Sequence, residues 1–528
     1  MAITVIKSLR DIAELGNEKL NTPPPGSFII NQCQIHHGDD SWYDISLMIQ
    51  EIHLFEDIES VGITGWLKLQ DDVNLVRNGP IIGEELLWLS FETAGATESG
   101  HPEFAIDYTK TPLYVYKVEA IESPKTSQGV TTQSILEYRL HFCSTELITN
   151  DRIKISKTYK GTISDIVSRV LRDDLGLSDV RARHVARTKD IHHFVVPRMS
   201  PIDFISSLTS KARAETDDYI IAPQESWSSN LFKGHHADFM FFETAARVYS
   251  NEGGFVFAPL QKVSYDDDAS GFTSGGEDLA ITLNNAATST GTEGYEGDGE
   301  TGYSAVMLRS LSYEFTDSGD KWASVCDGAW SGLNIKHDGL SKTYDMYKCD
   351  YLEHLKDPKY SHASKTPVYF PPAQGDKRIS EWPEGNINLF SSSPKSKSNI
   401  DPNTNSANYP WRKLAPDQSL LRNMQLSHML GNQRVTCKML GNSGLQIGKM
   451  AQAVFPQIGM GSGDPMETGL AGSHDIYGED RNNNTWMITK LGHHIVRGAP
   501  YEYTTTTEMV NTRRQTSIDL PTYGVLDK

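Results

Sequence analysis

Period-two alternation of apolar and polar residues, repeated in several separate stretches, constrains this chain more than any other feature. Tyr43, Ile45, Leu47 and Ile49 alternate with Asp44, Ser46 and Met48. Ile63, Leu67 and Leu69 alternate with Thr64, Trp66 and Lys68, and Leu136, Tyr138, Leu140 and Phe142 with Glu137, Arg139 and His141. Successive side chains on a strand point to opposite faces, so each stretch predicts a strand with one face in a core and one toward solvent. Gly38-Asp39-Asp40 and Asn78-Gly79-Pro80 supply turn chemistry between them. The alternation returns in Val435, Cys437 and Met439, ahead of a Gly441-Asn442 turn, and again over 486–496 and 503–510. Two β-rich regions follow, 28–147 and 305–512, each of a size that packs as a small barrel or sandwich.

Between them the period changes. Thr162 and Asp165 form a capping box, and Ile163, Ile166, Val167, Val170 and Leu171 fall on one helical face before Gly176. A second helix opens at Ser200-Pro201 with Asp203 in its first turn and Ile202, Ile205, Leu208 and Ala212 on its apolar face. Strands are expected near 218–222, 238–243 and 254–258, which makes 148–262 a compact α+β module. Farther on, the pattern predicts a strand over 306–315, a helix near 319–332 (Trp322, Val325, Cys326, Ala329, Trp330), a strand over 343–351, and strands from about 418 onward. Residues 263–303 hold nine acids and no base and read as an insertion without a core of its own. Residues 364–416, rich in Pro, Ser, Asn and Lys, read as a second one. Residues 1–27 read as an arm, a short amphipathic helix stopped by Pro23-Pro24-Pro25.

Charge and cysteine content narrow the function classes. The chain has 528 residues and a formal net charge of −19, which opposes nonspecific binding to nucleic acid or anionic lipid. Its five cysteines include no CxxC pair, against both a disulfide scaffold and a cysteine zinc site. No stretch has the roughly 18 to 20 uninterrupted apolar residues of a membrane span. Charges at Lys7, Arg10, Asp11, Glu14, Glu18 and Lys19 interrupt any secretory apolar segment, so synthesis and assembly in a cytoplasm are expected.

The search for catalytic chemistry returns little. Four His-His pairs stand out: His36-His37, His192-His193, His235-His236 and His493-His494. Neighbours on a strand face opposite ways, so such a pair chelates one metal poorly. Gly459, Gly461 and Gly463 lack the lysine, helix and acidic residue of a phosphate loop. Asp266-Asp267-Asp268 lacks the spacing of a calcium loop. No Walker motif, nucleophile elbow or kinase set occurs. No catalytic residue, metal or cofactor is expected, and a structural role fits the sequence best.

One succession of motifs is more specific. Leu54-Phe55-Glu56-Asp57-Ile58, Gly62-Ile63-Thr64-Gly65-Trp66-Leu67-Lys68-Leu69-Gln70-Asp71, Leu75 and Pro80-Ile81-Ile82-Gly83-Glu84-Glu85-Leu86 follow one another. Ile155-Ser156-Lys157-Thr158-Tyr159, Val195-Val196-Pro197, Glu252-Gly253-Gly254-Phe255-Val256-Phe257, Lys342-Thr343-Tyr344 and Leu440-Gly441-Asn442 keep the same order. The series resembles the baseplate central hub proteins of T-even-type contractile-tailed bacteriophages. The resemblance implies an α+β, predominantly β fold: two tube-type antiparallel β-barrel domains, 28–147 and 305–363 with 417–515, around an α+β domain, 148–262. Insertions at 263–304 and 364–416, the arm 1–27 and a tail 516–528 complete this division. It implies a homotrimer that adapts a six-fold tail tube to a three-fold central spike, since two like domains per chain turn three-fold into six-fold symmetry.

Implied partners are further copies of the chain, the spike, a tube or tube-initiator protein, baseplate wedge proteins and a tape-measure protein. DNA would pass through the lumen without specific binding, and no membrane is involved. The implied location is the virion tail baseplate. Pro80, Ile81, Ile82 and Gly83 are candidate subunit contacts, and Asp44, Asp71 and Glu508 are candidates to line a negative lumen. A tail-borne cell-wall hydrolase and a peripheral receptor-binding module are the alternatives.

Overall fold

The computed structural model describes residues 26–38, 41–79, 81–93, 105–122, 135–178, 181–182, 184–189, 191–214, 236–245, 253–260, 263, 279–282, 310–317, 322, 326, 328–338, 342–350, 387–392, 418–431, 434–454, 485–499 and 502–511. The fold is mainly β, with antiparallel pairing dominant and short helices between the strands.

The first β region holds β1 (Phe28–His37), β2 (Ser41–Asp44), β3 (Ile49–Asp57), β4 (Thr64–Asp71), a one-turn α1 (Leu75–Asn78), β5 (Leu86–Thr93), β6 (Ile106–Asp107), β7 (Leu113–Glu122) and β8 (Leu136–Ser144). The middle module follows with α2 (Thr145–Arg152), β9 (Thr158–Gly161), α3 (Ile163–Arg169) running into a π turn, β10 (His184–Val185), β11 (His192–Val195), α4 (Pro201–Thr209), β12 (Phe239–Thr244) and β13 (Gly254–Pro259). Then come β14 (Leu279–Thr282), β15 (Ser310–Asp317), β16 (Ser331–Asp338), β17 (Thr343–Asp350), β18 (Ile387–Ser392), α5 (Gln418–Leu430), β19 (Arg434–Leu440), β20 (Met450–Val454), β21 (Thr485–Val496) and β22 (Tyr503–Asn511).

The periodicity predicts two β units, and the structure joins them edge to edge. A 14-stranded sheet has the main path β15-β19-β22-β21-β3-β4-β8-β7-β5-β1-β2, with β20 (carrying β14) branching from β21 and β6 from β5. The seam is β21 against β3, antiparallel from Lys490↔Asp57 to Val496↔Glu51. On either side of it the same four-strand pattern occurs. β3 and β4 form one antiparallel pair and β7 and β8 another, and the two second strands, β4 and β8, lie side by side. Likewise β15 pairs with β19, β21 with β22, and β19 lies beside β22. Taken in chain order within each unit, both read first, second, fourth, third in the same direction across the sheet. Strand directions alternate throughout, so the second unit is a side-by-side repeat of the first.

Two cores lie beneath this sheet. One fills the first unit, with Ile52, Leu54, Leu67, Leu69, Leu87, Phe91, Leu140 and Phe142, and draws in Ile495 and Tyr503 from across the seam. The other merges the middle module with the second unit: Ile166, Val167, Ile205, Leu208, Phe242 and Phe257 share it with Val435, Cys437, Met439, Leu491 and Met509. At the seam's flank, β3 and β4 approach so closely that a Cβ on Gly65 would stand 2.3 Å from the His53 carbonyl oxygen and 2.4 Å from the Phe142 ring. Only glycine fits there.

The helix starts are as the sequence predicts. Thr162 Oγ1 accepts the Asp165 N–H at 3.2 Å, and Pro201 occupies the first turn of α4. Gly176 ends the first helix with φ +73°.

Several expectations change. The strand expected through 43–49 breaks at Asp44, whose carboxylate accepts the N–H and hydroxyl of Ser46, an Asx turn that overrides the alternation. Residues 418–430 are helix, not strand; Met424 and Met429 are fully buried on α5. The helix expected to 332 gives way to β16 from Ser331, and Trp322 is 81% exposed rather than on a buried face. Each expected insertion contributes a strand: β14 pairs parallel with β20, and β18 parallel with β16. The rest of both insertions, the expected strand at 218–222, the Gly459 to Gly463 run, His235 and most of the arm lie outside the described residues.

Candidate functional site

The feature that spans both units is the face of the sheet opposite the cores. On β3, Ile52, Leu54 and Glu56 turn inward and are buried, while Glu51, His53, Phe55 and Asp57 turn outward. The same alternation gives Trp66 and Lys68 on β4, Arg139 and His141 on β8, and Lys490 and His494 on β21. β22 contributes Thr504, Thr506 and Glu508, β19 contributes Arg434, Thr436 and Lys438, and β15 contributes Ser312 and Glu314. The register aligns them in rows. One row runs Lys117, His141, Trp66, His53, His494, Thr504, and another Asp57, Lys490, Glu508, Thr436, Glu314.

Charges on this face are matched rather than negative. Lys68 lies 3.2 Å from Glu137 and 3.7 Å from Glu51, and Lys117 lies 2.7 Å from Glu119. Arg434 lies 2.9 Å from Glu508, and Lys490 lies 3.6 Å from Glu508 and 3.8 Å from Asp57. Arg139 covers the Trp66 ring at 4.9 Å. Exposed pairs of this kind add at most about 1 kcal/mol each to stability. They also pair most of the cations on this face, among the described residues, with carboxylates.

At the seam itself the two units exchange aromatic and imidazole contacts. His53 Nδ1 and His494 Nδ1 are 2.8 Å apart, so one ring donates and the other accepts with an unprotonated nitrogen. His53 stacks on Trp66 with ring centroids 3.8 Å apart. Burial lowers the His53 pKa against the pull of Glu51, and burial, with His53, His493 and Lys438 nearby, lowers that of His494 to about 4. His493 turns the other way, into the core, where its Nδ1 meets the Tyr503 hydroxyl at 2.9 Å and its Nε2 lies 3.6 Å from Glu56. The adjacent pair does split between faces as the sequence rule requires. What the sequence does not disclose is that His494 meets a histidine from another strand.

The motifs behind the family resemblance sit at three structural joints. Phe55-Glu56-Asp57-Ile58 ends the seam strand; Glu56 accepts the Ala245 N–H at 3.0 Å, and the Ile58 N–H donates to the Thr489 carbonyl at 3.0 Å. Gly62, at φ +104°, turns the chain into β4. Ile81-Ile82-Gly83-Glu84 wraps the fully buried Glu85 carboxylate, which accepts the N–H groups of Ile82, Gly83 and Glu84 at 2.7, 3.0 and 3.0 Å. Pro80 lies outside the described residues. Ile81 is buried and Gly83 turns at φ +93°, which leaves Ile82, 61% exposed, as the member of that segment able to touch a neighbour.

The three expected lumen residues do not share a face. Glu508 lies on the polar face. Asp44 is exposed on β2, at the far end of the sheet, and is engaged with Ser46. Asp71 is 1% exposed; it accepts the Val73 N–H at 3.0 Å and the Tyr138 hydroxyl at 3.3 Å, so its carboxylate belongs to the first core and not to an open wall.

A buried ionic cluster ties the middle module to the first β unit. Glu243 of β12 accepts from Arg181 at 2.5 Å, from the Ser144 hydroxyl at 2.5 Å and from the Ile63 N–H at 3.0 Å. Glu146 lies 3.0 Å from Arg181 on the other side. Among the described residues, no group of three or more His, Cys, Asp or Glu side chains is placed to hold a metal ion. No helix among them is long and apolar enough to cross a membrane.

No family model and no curated protein sequence matches this chain. Solved structures similar to it include a 43 kDa tail protein of prophage MuSo2 from Shewanella oneidensis, 8% identical with a TM-score of 0.44, covering 92% of this chain and 99% of that one. A tail protein from Neisseria meningitidis MC58 is 8% identical with a TM-score of 0.39, covering 92% and 96%. A type VI secretion component of E. coli, described as similar to the T4 bacteriophage tail proteins gp27 and gp5, is 8% identical with a TM-score of 0.40, covering 92% of this chain and 76% of that one.

Proposed function

We propose that this chain is a structural hub of a contractile tail: a homotrimer whose ring joins a six-fold tube to a three-fold spike and forms part of the conduit for DNA or tape-measure protein. The observation that carries the reading is the side-by-side repeat of a four-strand unit with one continuous polar face. Three copies would present six such units, which is the symmetry conversion the role needs. The ordered motifs at the seam, the β4 turn and the Glu85 loop support the same reading.

The wall chemistry is that of a conduit without affinity for its cargo. Cations paired with carboxylates bind phosphate weakly, and threonine hydroxyls present a wetted surface. Spike, tube and wedge proteins are the partners this role requires, and chemistry on the cell wall falls to them rather than to this chain. Light scattering on the purified full chain tests the reading. A mass of three times 58.8 kDa is expected. A stable monomer at tens of micromolar refutes the hub, and a monomer that releases fragments from peptidoglycan favours the hydrolase.

A further inference from the structure

Two of the ordered sequence motifs meet in the middle module. Ile155-Ser156-Lys157-Thr158-Tyr159 and Val195-Val196-Pro197 lie on the two strands of one antiparallel ribbon. β9 and β11 pair from Thr158↔Val195 to Gly161↔His192. Farther along, Ile155 and Met199 exchange both backbone hydrogen bonds, at 2.7 and 3.1 Å. The ribbon's inner side packs into the second core through Ile155, Tyr159 and Val196. Its outer side carries Lys154, Ser156, Thr158 and Lys160 on one strand and His193 and Val195 on the other, all exposed. Lys160 stands directly opposite His193, and Thr158 opposite Val195. Lys154 and the exposed Arg198 flank the Ile155–Met199 bridge.

The charge of this surface has one sign. Neither strand holds an acid over 154–161 or 191–199. Residues 151–214 hold thirteen Lys and Arg against seven Asp and Glu, in a chain that has 49 against 68. On the polar sheet face Lys68, Arg434 and Lys490 stand beside carboxylates. On the ribbon Lys157 is paired, with Asp174 at 2.6 Å, while Lys154, Lys160 and Arg198 have no carboxylate partner among the described residues. Val195, 76% exposed, lies among these cations. Unpaired cations fixed on paired strands around an open apolar side chain are complementary to a partner of the opposite sign.

We propose that the outer side of the β9–β11 ribbon is the docking surface for an acidic protein segment, whose carboxylates meet Lys154, Lys160 and Arg198 while an apolar side chain covers Val195. This goes beyond the hub reading and holds whatever the oligomeric state of the chain. The chemistry favours a peptide over other anionic partners. Single-stranded nucleic acid is held by open aromatic rings, and here Tyr159 is buried and Phe194 lies under Lys211, 5.1 Å from its ring. A membrane surface takes up a face of several large apolar side chains, and this side offers Val195 and Pro197.

Fluorescence anisotropy on the full chain tests the proposal with four probes: a labelled peptide of Glu and Asp around a central Leu, the same peptide with a central Ser, a labelled DNA duplex, and phosphatidylglycerol vesicles carrying a labelled lipid. The Leu peptide is expected to bind saturably at low salt, more tightly than the other three, and more weakly as salt is added. Lys154→Glu with Lys160→Glu should weaken it on the order of tenfold or more. Val195→Ser should erase the preference for Leu over Ser. Lys117→Glu, at a paired cation on the sheet face, should leave binding unchanged. Where the double reversal does not fold, Lys154→Gln with Lys160→Gln should give a smaller loss in the same direction. Absence of saturable peptide binding, or an equal loss in Lys117→Glu, overturns the proposal. Tighter binding of DNA or vesicles through the same lysines assigns the surface to another class of partner and overturns it as well. A trimer that falls to monomers on the double reversal shows a second copy on this surface, with the same consequence.

Discussion

Replacing Glu243 by alanine isolates the joint between the middle module and the first β unit. Glu243 is 1% exposed and Arg181 5% exposed, so the pair sits in a medium where an unmatched charge is costly. Removing the carboxylate leaves Arg181 with Glu146 alone and the Ser144 hydroxyl without its acceptor, while the Ile63 N–H keeps the Ser144 Oγ at 3.2 Å. Breaking a buried ion pair costs about 3 to 5 kcal/mol. The remaining Glu146 contact moves the Arg181 contribution toward the lower figure, about 3 kcal/mol, and the stranded Ser144 hydroxyl adds about 1 kcal/mol. The expected loss is therefore about 4 kcal/mol. It should be largest for opening of β12 and β13, read as faster exchange of their amides and a lower urea midpoint. Arg181→Met alone strands the buried Glu243 and the mostly buried Glu146 carboxylates and should cost a similar amount. The double variant should cost at least about 2 kcal/mol less than the sum, because each half is harmful mainly through what it leaves unpaired. A loss under about 1 kcal/mol for Glu243→Ala, or additivity within about 0.5 kcal/mol, refutes the idea that this cluster holds the module in place.

Two other measurements follow from the same structure. His494 titrates near 4 when folded and at the ordinary histidine value when unfolded, so the unfolded chain takes up more protons between those values. Stability should fall as pH drops from about 6.5 to 4, by about 2 kcal/mol after allowing for partial exposure, and His494→Gln should flatten that slope in a urea titration. A slope unchanged in His494→Gln would show that other groups set it. Burial pushes the Cys143 and Cys437 thiols up to about 12, and raises that of Cys33 further, while Cys326 is exposed. In the folded chain at pH 8, peptide mapping after iodoacetamide should find Cys326 alkylated and Cys33, Cys143 and Cys437 unmodified until urea is added. Modification of Cys143 or Cys437 at a rate like that of Cys326 would contradict their burial.

Strands with one face in the core were legible from the sequence: β4, β8, β19, β21 and β22 all alternate, and each buries the side that the alternation marks. The capping residues Thr162 and Pro201 likewise announced α3 and α4. Helix α5 was missed because its apolar positions were weighed against the strands that follow, although 418–430 contain neither glycine nor proline and carry leucines and methionines at helical spacing. The break at Asp44 was missed because one side chain bonding two residues ahead outweighs four residues of alternation. The alternation itself puts Asp71 in phase with Leu67 and Leu69, on the core face, where the Tyr138 hydroxyl and the Val73 N–H satisfy it; its charge argued for an open surface against that phase.

Local pattern determined the strand content, the helix starts and the acid-rich stretch, because each depends on neighbours a few residues away. The seam was decided by tertiary structure alone: β3 and β21 lie more than four hundred positions apart, and either strand could satisfy its backbone groups with some other edge. Their register brings His53 to His494, sets the two four-strand units in tandem and aligns one polar face across eight strands. No residue carries that choice by itself. It comes from the packing of Ile495 and Tyr503 into the first core and of Leu491 and Met509 into the second, which together permit one alignment of the two sheets.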